Sequence, residues 1–130
     1  MDKWATLAGR MLLAGIFIWS GWGTRSGLPE LAKYLGSLGL PFPSLLAPLV
    51  ILWELGGGLA LLLGLYTRAS ALLLGAFCLV TALLVHYHPQ NMEAMINFAK
   101  NLALTGGFLF VAAHGGGALS LDYRFKLKWS

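Results

Sequence analysis

Three charged residues stand inside long apolar runs: Arg10, Glu54 and Lys100. Glu54 is the most demanding, because it sits in the middle of the apolar stretch 45–66. A hydrocarbon core of about 30 Å is crossed by about 20 apolar residues in a helix, so that stretch is long enough to span. An ionised carboxylate at such a depth costs roughly 2.5 kcal/mol or more unless it finds a partner or a proton. Its neighbour Trp53 brings an indole N–H that needs an acceptor. Asn97, Lys100 and Asn101 share one stripe of a later helix and should face the protein interior rather than lipid. Together Arg10, Trp53, Glu54, Asn97, Lys100 and Asn101 make a candidate ligand-binding pocket of polar intramembrane groups. Two readings of it stay open. Glu54 is ionised and paired with Lys100 or Arg10, in which case the pair fixes helix register and adds little net stability. Alternatively, the group hydrogen-bonds a quinone carbonyl or moves a proton.

Other chemistries lack their parts. A single cysteine, Cys78, rules out a dithiol relay within the chain. There is no phosphate-cradling glycine loop, no Ser-His-Asp arrangement and no pair of mid-membrane histidines to hold a haem. His86 and His88, two residues apart, point to different sides of a helix and have no carboxylate cluster beside them. They read as an interfacial polar cap, and no metal site is expected. Redox work would therefore rely on a diffusible cofactor or a partner subunit. Whether the chain is itself an enzyme is left open, and no catalytic residue is assigned.

The composition says where these residues must operate. Of 130 residues, 58% are hydrophobic and 11% charged, against roughly 25% charged in soluble domains. The net charge of +4 comes from basic residues that flank apolar segments, a pattern suited to lipid headgroups rather than nucleic acid. The partner expected first is the lipid bilayer; no nucleic-acid site is expected.

Hydropathy and punctuation predict an all-α, four-helix transmembrane bundle in a single domain, 1–130, with spans at about 4–23, 44–66, 69–88 and 93–114. The first run carries Trp19 and Trp22 at its far end, has no small-x-small cleavage pattern, and reads as a retained span rather than a signal peptide. Arg10 lies two turns inside it and can snorkel to the near interface. Leu28, Leu31, Ala32, Leu35 and Leu38 then follow a helical period opposite Glu30, Lys33 and Ser37, predicting a short interfacial amphipathic helix between spans one and two. Ser44 is the expected N-cap of the second span, with Pro48 in its first turn. Gly56, Ala60 and Gly64 form a small-residue stripe for close helix approach. The third span is aliphatic and reads as structural, with Ala71 and Gly75 as a second small pair. Asn91 caps the fourth, and Gly115–Gly117 ends it. The tail, with Arg124, Lys126, Lys128 and Trp129, alternates basic and apolar residues like an interfacial anchor. Lys3, Arg68, Arg124, Lys126 and Lys128 would flank one side, Arg25 and Lys33 the other, which predicts both termini in the cytoplasm.

Gly9-Arg10 with Trp19-Ser20-Gly21-Trp22-Gly23, the run from Glu54 to Gly64 with Thr67-Arg68, and the run from Asn97 to Ala103 resemble, in order and spacing, the DoxX family of small bacterial inner-membrane proteins. The resemblance implies a four-helix inner-membrane protein. Some family members are named as membrane subunits of thiosulfate:quinone oxidoreductase or as partners of soluble redox enzymes, and many have no assigned activity. It therefore implies a quinone-interacting or redox-associated membrane subunit, with quinone as the possible cofactor and a redox enzyme subunit or a homo-oligomer as the possible partner. The alternative is a non-catalytic assembly or anchoring protein whose buried charges fix helix packing. In the family pattern a lysine often follows the Ser-Gly-x-Gly block; here Thr24 and Arg25 follow it, which weakens the case for a basic site there.

Overall fold

The computed structural model describes residues 2–127. Lys128 and Trp129, the end of the expected anchor, lie outside them. Six α-helices and no strand occur among the described residues. Helix α1 (Lys3–Thr24) starts on Asp2, whose side chain accepts the Trp4 amide at 2.9 Å. Helix α2 (Leu28–Ser37) has Pro29 in its first turn, where the missing amide is not needed, and stops before Gly39 at φ +82°. Helix α3 (Pro43–Leu63) begins one residue earlier than expected. Phe42 precedes it in the left-handed region, so Ser44 is not its cap and Pro48 lies inside the helix rather than in its first turn.

Helix α4 (Thr67–Thr81) runs on into a π-helical turn, Ala82–His86. Helix α5 (Met92–His114) opens on Asn91, whose side chain accepts the Ala94 amide at 3.1 Å, and closes on Gly115 at φ +80°. The tail does not run out as an alternating segment: Ser120 caps a short helix, α6 (Leu121–Phe125).

Helices α1 and α3 pack along each other, as do α4 and α5; α3 against α4 joins the two pairs, and α2 lies on α3. Ala14, Phe17, Leu61, Leu74, Cys78 and Phe108 form the buried centre. The expected stripe holds at Gly64, where a Cβ would overlap Arg10 and Ser120, but not at Gly56, and the other close approaches fall beside it. A Cβ on Gly56 would meet nothing within 4 Å, whereas one on Gly57 would lie 2.9 Å from Leu74 and one on Gly58 3.0 Å from Ile18. Each residue turns the helix by about 100°, so the adjacent pair Gly57 and Gly58 can admit α4 on one side and α1 on the other. The second small pair is where it was expected, with Gly75 against Phe108.

Three segments are long and apolar enough to cross a membrane: Pro43–Leu63, Thr67–Leu84 and Met92–His114. Helix α1 has the length, at 22 residues, but is less apolar.

Candidate functional site

The polar residues collect at two levels of the helix packing. At the first, Arg10 is 1% exposed and lies against the turn between α3 and α4. Its Nη1 donates to the Leu61 carbonyl at 3.2 Å and the Leu62 carbonyl at 3.5 Å, and its Nη2 donates to the Leu119 carbonyl. The end of a helix leaves carbonyls short of amide donors; at the end of α3 Arg10 adds a donor to the Leu61 carbonyl, which the Gly64 amide also reaches at 3.1 Å, and serves the Leu62 carbonyl. Asp122, also 1% exposed, does the converse for α4. Its carboxylate accepts the Tyr66 amide at 2.6 Å, the Thr67 amide at 2.7 Å and the Thr67 hydroxyl at 2.6 Å. Asp122 is also the charge that Arg10 feels. Arg10 therefore neither snorkels nor approaches Glu54. It lies ten residues, about 15 Å of helical rise, from Ser20, whose hydroxyl faces the Glu54 carboxyl group.

The second level is a cavity of about 260 Å³ between α1, α3, α4 and α5. Its polar lining is Ser20, Glu54, Cys78, Thr81, His86 and Asn101, set among Ile16, Phe17, Phe77 and Leu104. Ser20 supplies the hydroxyl that faces the Glu54 carboxyl group. The buried Oε2 of Glu54 has no hydrogen-bond partner. Across the cavity the Asn101 amide donates to the Thr81 hydroxyl at 2.9 Å and to the Cys78 carbonyl at 3.3 Å. Thr81 in turn donates to the Phe77 and Cys78 carbonyls, at 2.9 and 3.1 Å. The π-helical turn begins immediately after Thr81 and ends on His86. Such turns insert an extra residue per turn and recur at functional sites.

Of the six residues expected to share a pocket, the cavity takes Glu54 and Asn101. Trp53 uses its indole N–H on the Leu73 carbonyl at 3.0 Å, tying α3 to α4, and lies outside the cavity against a separate apolar groove. Asn97 and Lys100 are exposed. No ion pair joins Lys100 to Glu54 among the described residues, because Lys100 is turned about 100° around α5 from Asn101, which holds the cavity face. Ser20, Cys78, Thr81 and His86 had not been assigned to the pocket. The third span, read as structural, supplies Cys78 and Thr81, and His86 ends the turn that extends it. The hydroxyl of Thr81, deep in a mostly aliphatic run, was the available signal.

The DoxX family model matches residues 5–87. That interval takes in the Arg10 and Glu54 blocks and leaves out the run from Asn97 to Ala103. The chain is 42% identical over 129 residues to the inner membrane protein YqjF of Escherichia coli, covering 99% of this chain and 98% of that one. It is 37% identical over 123 residues to the E. coli inner membrane protein YphA, covering 91% and 88%. No solved structure matches it. With the family model over 5–87, two relatives along nearly the whole chain and helices of spanning length, the chain belongs to the DoxX family and is an integral inner-membrane protein.

Proposed function

We propose that the protein is a redox-associated membrane subunit that holds a quinone headgroup in the cavity between α1, α3, α4 and α5. The observation that carries this reading is the buried, unpartnered Oε2 of Glu54 in a cavity that four helices line with hydrogen-bonding side chains. A buried polar atom without a partner is costly, and a ligand hydroxyl or carbonyl would relieve that cost. In protonated form Glu54 donates to a quinone carbonyl; in ionised form it accepts from a quinol hydroxyl. Ser20 and His86 line the same space and can serve the second oxygen. Reduction of a quinone takes two electrons and two protons; a partner redox subunit brings the electrons.

The reading uses four spans, with α1 as the first. Its less apolar character is partly due to Arg10, whose guanidinium is buried on carbonyls through Nη1 and Nη2. Helix α2, with Leu35 buried and Glu30, Lys33 and Ser37 exposed, then lies in the interface across the mouth of a four-helix bundle. Lys3, Arg68, Arg124 and Lys126 at the Arg10 end favour a cytoplasmic position for both termini.

Gentle detergent purification followed by mass spectrometry of bound lipids tests the proposal. Quinone in near one-to-one amount, lost in Glu54→Leu, is the expected result. Absence of quinone together with no saturable binding of a short-tailed quinone overturns it. The second reading, an anchoring or assembly protein, is favoured by Arg10 and Asp122, whose charges serve helix packing. It expects a co-purifying protein, or a homo-oligomer, without quinone.

A further inference from the structure

Helix direction makes two ionisable side chains of the cavity lean toward each other. Side chains on a helix tilt toward its N-terminus. Helix α3 enters from the His86 end of the packing, so Glu54 leans toward that end. Helix α4 enters from the Arg10 end, so His86, at the far limit of its π-helical extension, leans back toward the cavity. Both line the cavity, and His86 is half-buried between the cavity and the segment Tyr87–Gln90, which is exposed. His86 lies eight residues beyond Cys78 along α4 and its π-helical extension, and Cys78 sits in the electrostatic range of Glu54. Water held in the cavity can link the two side chains. At about 30 Å³ per molecule, 260 Å³ accommodates several waters. Ser20, Thr81 and Asn101 supply the two to four polar partners that ordered waters need.

We propose that this cavity is a proton-exchange route, in which His86 passes protons between the outer aqueous face and Glu54 through water. An imidazolium N–H bond breaks as an O–H bond forms on the adjacent water; the last water in the file gives its proton to Oε2 of the carboxylate. His86 is left neutral and takes its next proton from solution. Reversal of the same steps releases the proton. Among the groups lining the cavity, the others facing Glu54 are Ser20 from α1, Cys78 and Thr81 from α4 and Asn101 from α5; of these only the Cys78 thiol titrates, and Lys100 does not line the cavity. The route shares the cavity with the quinone reading, which it would supply with protons, but it operates without quinone.

Infrared spectroscopy of the quinone-free protein in nanodiscs tests it. The C=O stretch of a protonated carboxylic acid that disappears in Glu54→Gln assigns the band, and its shift on transfer to D2O times the exchange. His86→Phe should slow that exchange by on the order of 100-fold, the lower range for a positioned proton carrier. In His86→Ala, added imidazole should restore the rate, which guards against a variant that merely packs badly. The proposal is overturned if no band vanishes in Glu54→Gln at any pH at which the protein stays folded. It is equally overturned if His86→Phe exchanges as fast as the parent. A protein that exchanges in this way yet binds no quinone keeps the proton route and loses the ligand reading.

Discussion

Arg10 and Asp122 grip opposite sides of one turn. The guanidinium takes the carbonyls of Leu61 and Leu62 that end α3, and the carboxylate takes the amides of Tyr66 and Thr67 that begin α4. The two residues come from opposite ends of the chain, so this contact ties α1 and the tail helix α6 to the middle of the sequence. The Asp122 amide completes the attachment by donating to the Gly64 carbonyl at 2.8 Å.

Replacing Arg10 by leucine should therefore be severe. A snorkelling arginine would change stability little, but here the change strands Asp122 without its counter-charge and takes a donor from the Leu61, Leu62 and Leu119 carbonyls. A loss of about 3 kcal/mol or more is expected, in the range for breaking buried charge partnerships. Arg10→Lys should recover only part of it, because an ammonium cannot reach several carbonyls as a planar fork does. Thermal unfolding in detergent reads both; a parent-like midpoint for Arg10→Leu would refute the role.

Asp122→Ala should cost a comparable amount, since it takes the acceptor from three donors, two of them buried on Thr67. The two changes together should cost clearly less than their sum, with a coupling of about 1 kcal/mol or more, as for residues in one network. Simple additivity would mean that the two groups act independently.

Gly64 closes α3 at φ +71°, and a Cβ there would overlap Arg10 Nη1 and the Ser120 side chain. Gly64→Ala should thus lose about 1–2 kcal/mol from the left-handed backbone alone, and more from displacing Arg10. Gly56→Ala, where a Cβ meets nothing within 4 Å, should be neutral or slightly stabilising in mid-helix. Equal effects at the two positions would contradict the packing described.

Much of the fold was legible because its signals are local. Pro29, Asn91, Gly39 and Gly115 each mark a helix end through their own backbone or side-chain chemistry, and the helices start or stop there. Arg10 was legible as a problem but not as a solution. Its partners are backbone carbonyls of Leu61, Leu62 and Leu119, which any residue type would offer, so no side chain in the sequence announces them. Asp122 gave a faint sign as the lone acid in a basic tail. Glu54 and Asn101, each deep in an apolar run, both line the cavity. Lys100 was drawn to Glu54 by charge alone, and the helical turn of about 100° between residues 100 and 101 decides which of the two faces inward.

That turn decides the last prediction, which reverses the one that charge pairing gives. If Glu54 and Lys100 were an ion pair, removing either would strand the other, and removing both would restore stability. With Lys100 exposed and Glu54 Oε2 unpartnered, Lys100→Leu should stay within about 0.5 kcal/mol of the parent, as surface changes do. Glu54→Gln should unfold no earlier than the parent and somewhat later if the carboxylate is ionised there, because a buried charge without a partner is costlier than a neutral amide of the same shape. The double variant should be additive within about 0.3–0.5 kcal/mol. A thermal-unfolding cycle in detergent checks all three. A coupling above that range would show that the two side chains meet after all, and that Lys100 supplies the partner which Oε2 lacks.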